Sequence, residues 1–420
     1  MKKYRQAYSL LILLPLLLLV SEIPFTAAGE EESAVDQARQ GDLLGAVITY
    51  KAKHDPTAKR GLVALQQLAL EVLRLGLRLS DPHERNVVAG ILGRRGDSAG
   101  LVVLDEALQS DRPMLRRTAA DALGDMATPD AVGLLRRLYY TDSVGKRLAL
   151  SGLRRTRDRT ALLLYLDAVN SSDIRLRTQG AGGLGELRSA VASPVLHTLL
   201  KTEKDPIVAI TLAWSLAATG DATGLAYLTA KLSDASEQIR DAAVGLLGSL
   251  DDPSIVVLLR TVLQSDPSEM VRTTAAASLT HFKDASGLPL VQQALEHVDF
   301  RIRLAASVSF TRMDYGTAKP LIVKALQSRD PLTRSNAYQV IGQNQDASVA
   351  SEVIAAVGRE QDLYAKAQGL WTIGRIGGAE SVPQLLDMLA AEEETMRHAS
   401  AEALVFISDR LLQQRGRPQR

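Results

Sequence analysis

The chain has 420 residues, 46% of them apolar but only 4% aromatic, and its 49 Lys and Arg nearly cancel its 48 Asp and Glu. Apolar material for burial is plentiful, while the basic footprint of a nucleic-acid binder is missing. With no cysteine, disulfides, thiolate metal sites, a cysteine nucleophile and a lipid-modified N-terminal cysteine are excluded.

The first element is a leader. Lys2, Lys3 and Arg5 precede an apolar run from Leu10 to Val20, followed by Thr26-Ala27-Ala28. A charged start, a short apolar stretch and a small-residue site describe a signal peptide, residues 1–28, cut after Ala28. The run has eleven residues and contains Pro15, whereas a membrane span needs roughly 20. The expected location is periplasmic or secreted, with an uncleaved membrane anchor as the alternative. After cleavage no stable membrane insertion is expected, and 46 basic and 47 acidic residues remain.

Residues 29–70 read as helical, over Ala34–Tyr50 and Thr57–Leu75, but lack the pattern that dominates the rest of the chain. They are expected to cap an array, because a terminal repeat must present a polar face to water.

From there a unit of about 31 residues recurs. Registered on a basic residue, the series is Arg85, Arg116, Lys146, Arg177, Ala209, Arg240, Arg272, Arg303, Arg334, Lys366 and Arg397, at intervals of 30–32. Seven places on, every unit is large and apolar, from Leu92 and Leu123 to Phe310 and Leu404. Three places on, nine of eleven are small, such as Ala119, Gly180 and Ala275. Positions four apart share a helical face, so small residues admit a neighbouring helix and large ones fill its groove. A second apolar helix precedes each register position. The turn between the two helices carries Asp81, Asp142, Asp173, Asp205, Asp299, Asp330 or Asp362, and Pro follows three of these. Asp then Pro marks a helix start, since the carboxylate accepts an orphan N–H and Pro has none to satisfy. A further acid twelve places after the register, as at Asp97, Asp221 and Asp346, reads as the cap of the next unit's first helix. The chain closes in a basic tail, residues 413–420, expected to fray.

These features resemble HEAT repeats, in the short form first described in bilin lyases, over residues 71–412. The resemblance implies an all-α solenoid, a superhelix of about eleven helical hairpins. It also implies a structural ladder in which the turn aspartates named above contact Arg85, Arg116, Arg177, Arg240, Arg272, Arg303, Arg334 and Arg397 of successive units. HEAT-like deoxyhypusine hydroxylases are similar in architecture and hold iron on repeated His-Glu pairs. This chain has one such pair, His83-Glu84. A metal needs three or four converging ligands, so neither a metal nor any other cofactor is expected. Gly180 to Gly185 is glycine-rich but lies in the helix register with no preceding strand, which argues for packing rather than phosphate binding.

By the same resemblance, the second helix of each unit lines a concave wall. With the positions three, four and seven places on buried, the free stripe falls one, five and nine places on. That stripe is mostly polar or small, yet both tryptophans of the chain, Trp214 and Trp371, occupy the five-place position. Ile210, Leu304 and Val308 are apolar on the same stripe. The expectation is a groove over Ile210, Trp214, Leu304, Val308 and Trp371 that holds a protein or peptide partner. The chain would then be a monomeric, non-catalytic scaffold or adaptor that binds no nucleic acid. The alternative is an enzyme or enzyme accessory of the lyase-like HEAT group. A single deep pocket with convergent ionisable groups would favour the enzyme, and a long shallow groove the scaffold.

Overall fold

The computed structural model describes residues 28–416. Most of the leader, and the last four residues of the tail, lie outside the described residues. Among those described there are twenty-four α-helices, joined by turns and six short 3-10 segments, and no strand.

The helices run α1 (Ala28–Arg39), α2 (Leu43–Lys53), α3 (Lys59–Gly76), α4 (Pro82–Gly93), α5 (Ser98–Leu108), α6 (Pro113–Met126), α7 (Pro129–Tyr139) and α8 (Ser143–Thr156). They continue α9 (Leu162–Val169), α10 (Ile174–Leu187), α11 (Ser193–Thr202), α12 (Pro206–Ala218), α13 (Ala222–Lys231), α14 (Glu237–Leu247), α15 (Ile255–Ser265) and α16 (Glu269–His281). The last eight are α17 (Leu288–Ala294), α18 (Phe300–Val308), α19 (Tyr315–Ala325), α20 (Pro331–Asn344), α21 (Ala350–Arg359), α22 (Leu363–Ile376), α23 (Val382–Leu389) and α24 (Glu394–Gly416). The eleven register residues fall one each on the even helices from α4 to α24. The array is thus eleven hairpins of an odd and an even helix, an all-α solenoid. Helix α24 extends into the segment read as a tail.

Packing follows the register. The apolar residue seven places on is at most 1% exposed in every unit, from Leu92 through Leu216 and Phe310 to Leu404. Each seals the layer between one hairpin and the next, where burying a large side chain contributes roughly 1.5–3 kcal/mol. All seven turn aspartates cap the even helix that follows; Asp205, for example, accepts from the amides of Ile207 and Val208. Eleven places on, where most even helices end, seven units turn through left-handed backbone. Glycine fills that position at Gly96 and Gly220, but Ala127, Arg157, Arg188, Lys283 and Gln345 hold it against the cost of a Cβ.

The ladder departs from the expected one on its acid side. Nη1 of Arg177, Arg240, Arg272, Arg303, Arg334 and Arg397 donates to carbonyls five and six residues earlier in its own unit. The rungs between units are Arg116–Asp142, Arg177–Glu203, Arg240–Asp266 and Arg334–Glu360. Of the turn aspartates only Asp142 receives a register arginine; Asp173 takes Arg147 instead. Asp142 and Asp173 each cap with one oxygen and take an arginine with the other, whereas for Arg177, Arg240 and Arg334 an acid at the end of the odd helix reaches the guanidinium.

The two ends of the array meet. Helix α24 packs against α22 behind it and against α3, with lesser contact to α4, while α2 touches α23. One apolar core runs through the junction, joining Leu65, Val72 and Leu92 to Leu404 and Ile407. The N-terminal segment therefore docks on the last hairpin. Gly76 allows this approach: a Cβ there would come within 2.8 Å of both His398 Nε2 and Val88 Cγ2.

Candidate functional site

Even helices from both ends of the chain enclose a cavity of about 1100 Å³ at this seam. Its walls are α4, α6 and α8 on one side and α20, α22 and α24 on the other. Stripe positions supply most of the lining, including Arg94, Asp121, Asp125, Arg155, Trp371, Arg375, His398, Glu402 and Phe406.

The charged groups converge in pairs. Arg94 meets Glu402 at 2.8 Å, and Arg155 meets Asp125 at 2.7 Å and Asp121 at 3.4 Å. Arg95 bonds Asp409 at 2.5 Å. Glu84 accepts from the Thr395 hydroxyl at 2.7 Å, and its other oxygen lies 3.5 Å from His398 Nδ1. His398 is 4% exposed, and Nδ1 makes no hydrogen bond. The facing His398 ring is foremost in holding the Glu84 carboxyl below its ordinary range; burial opposes it and the Thr395 hydroxyl helps. Arg375 is the exception among the charged groups. It lies against the rings of Trp371 and Phe406, 5.7 and 5.2 Å from their centroids, and among the described residues no carboxylate forms an ion pair with it.

The five residues expected to form a groove do not come together. Ile210 is 1% exposed, in the core with Ile239 and Val244. Trp214 is half-buried: its ring lies over Gly185 of the preceding unit and its indole N–H donates to Ser249 at 2.9 Å. Leu304 is partly buried and Val308 exposed, away from the cavity. Only Trp371 reaches it, its ring resting on Gly342 of the preceding unit. The physical reason is local. Each tryptophan leans over a glycine one repeat back, and the residue after it fixes that joint: Ser215 donates to the Ala181 carbonyl and Thr372 to that of Tyr338.

Sequence reasoning did not single out Arg94, Arg375, His398, Glu402 or Phe406. The signal existed, since each occupies a one-, five- or nine-place stripe position, but it needed knowledge of which units face one another. His83 is exposed, and among the described residues no three His, Asp or Glu side chains converge as a metal would require. No helix there is long and apolar enough to cross a membrane.

The family model for HEAT repeats matches residues 70–154, 225–310 and 318–405. A deoxyhypusine hydroxylase from Eremothecium gossypii is 23% identical over 275 residues, 61% of this chain and 80% of that protein. Among solved structures, human deoxyhypusine hydroxylase in complex with glycerol is 16% identical, covering 76% of this chain and 99% of that one at a TM-score of 0.31. The CpcE–CpcF complex of phycocyanin lyase from Nostoc sp. PCC7120 is 17% identical, covering 72% and 94% at 0.28. The hydroxylase relative overturns the expectation of a non-catalytic scaffold: the protein matched over most of the array is an enzyme, so the chain cannot be set down as a non-enzyme adaptor.

Proposed function

Because the chain belongs to the HEAT-repeat family, whose architecture alone fixes no activity, we propose from its cavity that it is an enzyme, or the accessory subunit of one, that handles its substrate at the seam. One observation carries this reading: Glu84 and His398, from the first and last repeats, face each other at 3.5 Å in the wall of the seam cavity. A buried imidazole with a free nitrogen opposite a carboxylate is equipped to take up and return a proton, the carboxylate stabilising the imidazolium. Arg94 and Glu402 carry a second donor and acceptor into the same space.

The relative's hydroxylation is not carried over. Repeated His-Glu pairs would be needed to hold iron, and the one pair here turns His83 to solvent. Glu84 and His398 leave the set one ligand short of the minimum. The donor set does not fit that metal. From the leader read over residues 1–28 we propose that this activity lies in the periplasm or outside the cell. In the accessory form the protein partner would be the catalytic subunit.

The test is turnover. The purified chain is incubated with the small-molecule fraction of an envelope extract, with and without the extract's proteins, and consumed compounds are identified by mass spectrometry. A compound should be depleted by the wild type and about a hundredfold or more slowly by His398→Gln, the range of a lost general acid–base. No depletion in either arm, or an undiminished variant, would overturn the reading.

A further inference from the structure

We propose that Arg375 is an anion-recognition site, which binds an oxyanion of the substrate, a carboxylate or phosphate, between the walls of the seam cavity. The inference rests on the reading of that cavity as the place where substrate sits, and it adds the chemical class of the group recognised.

Every other charged residue in the lining has an opposite or proton-sharing partner. Among the described residues Arg375 has none, and its Nε is buried without a hydrogen bond. A guanidinium in the last turn of a helix would ordinarily find the terminal carbonyls. Here Arg410 has taken them: it donates to the carbonyls of Gly374 and Gly377, and at 2.5 Å to that of Arg375 itself. A second cation is thereby fixed next to the first, and both repel a further positive charge while attracting a negative one. Burial and the neighbouring Arg375 together depress the proton affinity of Arg410.

The geometry is prepared in advance. Two aromatic rings flank the guanidinium, an arrangement favourable to a cation. Trp371 is in turn held by Gly342, and Phe406 belongs to α24 across the inter-helix joint. A guanidinium fork matches carboxylate and phosphate oxygens in bidentate fashion, which a lysine would not. Gln339, Gln343 and Gln368 line the same space and offer neutral amides to the remaining oxygens.

Trp371 is a built-in reporter, since the chain has two tryptophans and Trp214 lies outside the cavity lining. In the full chain carrying Trp214→Phe, emission is followed during separate titrations with inorganic phosphate and succinate, and calorimetry measures the same binding without relying on Trp371. Saturable binding of one of them is expected, which also tells phosphate from carboxylate. Arg375→Gln should weaken it tenfold or more, while Arg301→Gln, at an exposed arginine outside the cavity lining, leaves it within about twofold. Absence of saturable binding to both anions, or equal binding by Arg375→Gln, would overturn the proposal. The enzyme reading fails separately: anion binding with no His398-dependent turnover sinks that reading and keeps this site, and the reverse result does the opposite.

Discussion

Arg94 and Glu402 lie 308 residues apart in the chain and 2.8 Å apart in space. That pair, with Arg95–Asp409, Lys51–Asp387 and the Gln66–Asp409 hydrogen bond, laces the first repeats to the last over the shared apolar core. Open repeat arrays hold each unit only by its neighbours. Here the first and last units are also neighbours, so the seam adds an interface that an open array lacks.

Reversing one charge at the seam tests this. Glu402 is 10% exposed at its side chain, so Arg94→Glu sets two carboxylates together in a desolvated place and should cost about 2–3 kcal/mol. Urea unfolding would measure the loss, and small-angle scattering should record a larger radius of gyration. Adding Glu402→Arg restores an ion pair and should recover at least half of the lost stability. A double variant no better than the single one would mean that the pair does not hold the seam.

The rungs of the ladder differ in worth by their burial. Glu360 is 1% exposed at its side chain and forked by Arg334, whereas Asp142, which receives Arg116, is 48% exposed. Arg334→Met strands a buried carboxylate and should cost about 3 kcal/mol, while Arg116→Met should cost less than about 1 kcal/mol. Burial pushes Glu360 up, but the Arg334 fork and the amides of Asp362 and Gln361 prevail and hold it below its ordinary range. A depressed carboxyl contributes stability that is present above its unfolded value, about 4.3, and is lost as pH falls through the folded one. The gap between wild type and Arg334→Met should therefore be full near pH 7 and shrink below about pH 4.

Much of this was legible because the array's contacts are local. Leu123 and Leu247 announce the same buried site because each unit meets its neighbour in the same way, and Asp-Pro at Asp205 and Asp330 marks a cap that depends on three residues. The seam is different in kind. Contacts such as Glu84 with His398 follow from the summed small rotations of eleven hairpins, and no residue near either one records that sum. The stripe rule named the right positions, five places on for Asp121 and nine for Arg94, but placed the site at Ile210 and Leu304, because only curvature decides which units share a cavity. Ile210 was lost for another reason: α12 packs apolar residues on nearly every side, burying Val208, Ala209, Ile210, Leu212 and Ala213.

The left-handed positions offer a gain in stability. Ala127 turns out of α6 at φ 51°, with a Cβ but no polar side chain to compensate. Relief of that strain, about 1–2 kcal/mol, exceeds the added chain entropy of glycine, about 0.5–1 kcal/mol. Ala127→Gly should raise stability by about 0.5 kcal/mol. The same change at Ala149, in the middle of α8 and buried, should lower it by more. Thermal unfolding of the two variants would decide, and a destabilised Ala127→Gly would refute the argument.

The two tryptophan joints separate packing from the cavity. A Cβ on Gly185 would collide with the Trp214 ring, and one on Gly342 with the Trp371 ring. Each alanine substitution should therefore overpack its joint and cost about 1–3 kcal/mol. The joints are alike, since Ser215 and Thr372 make the same hydroxyl bond to the preceding repeat, so the two costs should be similar. Their consequences for the cavity should not be. Gly342→Ala displaces the ring that flanks Arg375, whereas Trp214 is outside the lining. Anion binding should weaken several-fold in Gly342→Ala and stay within about twofold in Gly185→Ala. Calorimetric titration of both variants at equal residual stability makes the comparison, and equal loss of binding would show that any loosened joint suffices, leaving Trp371 no particular part in the site.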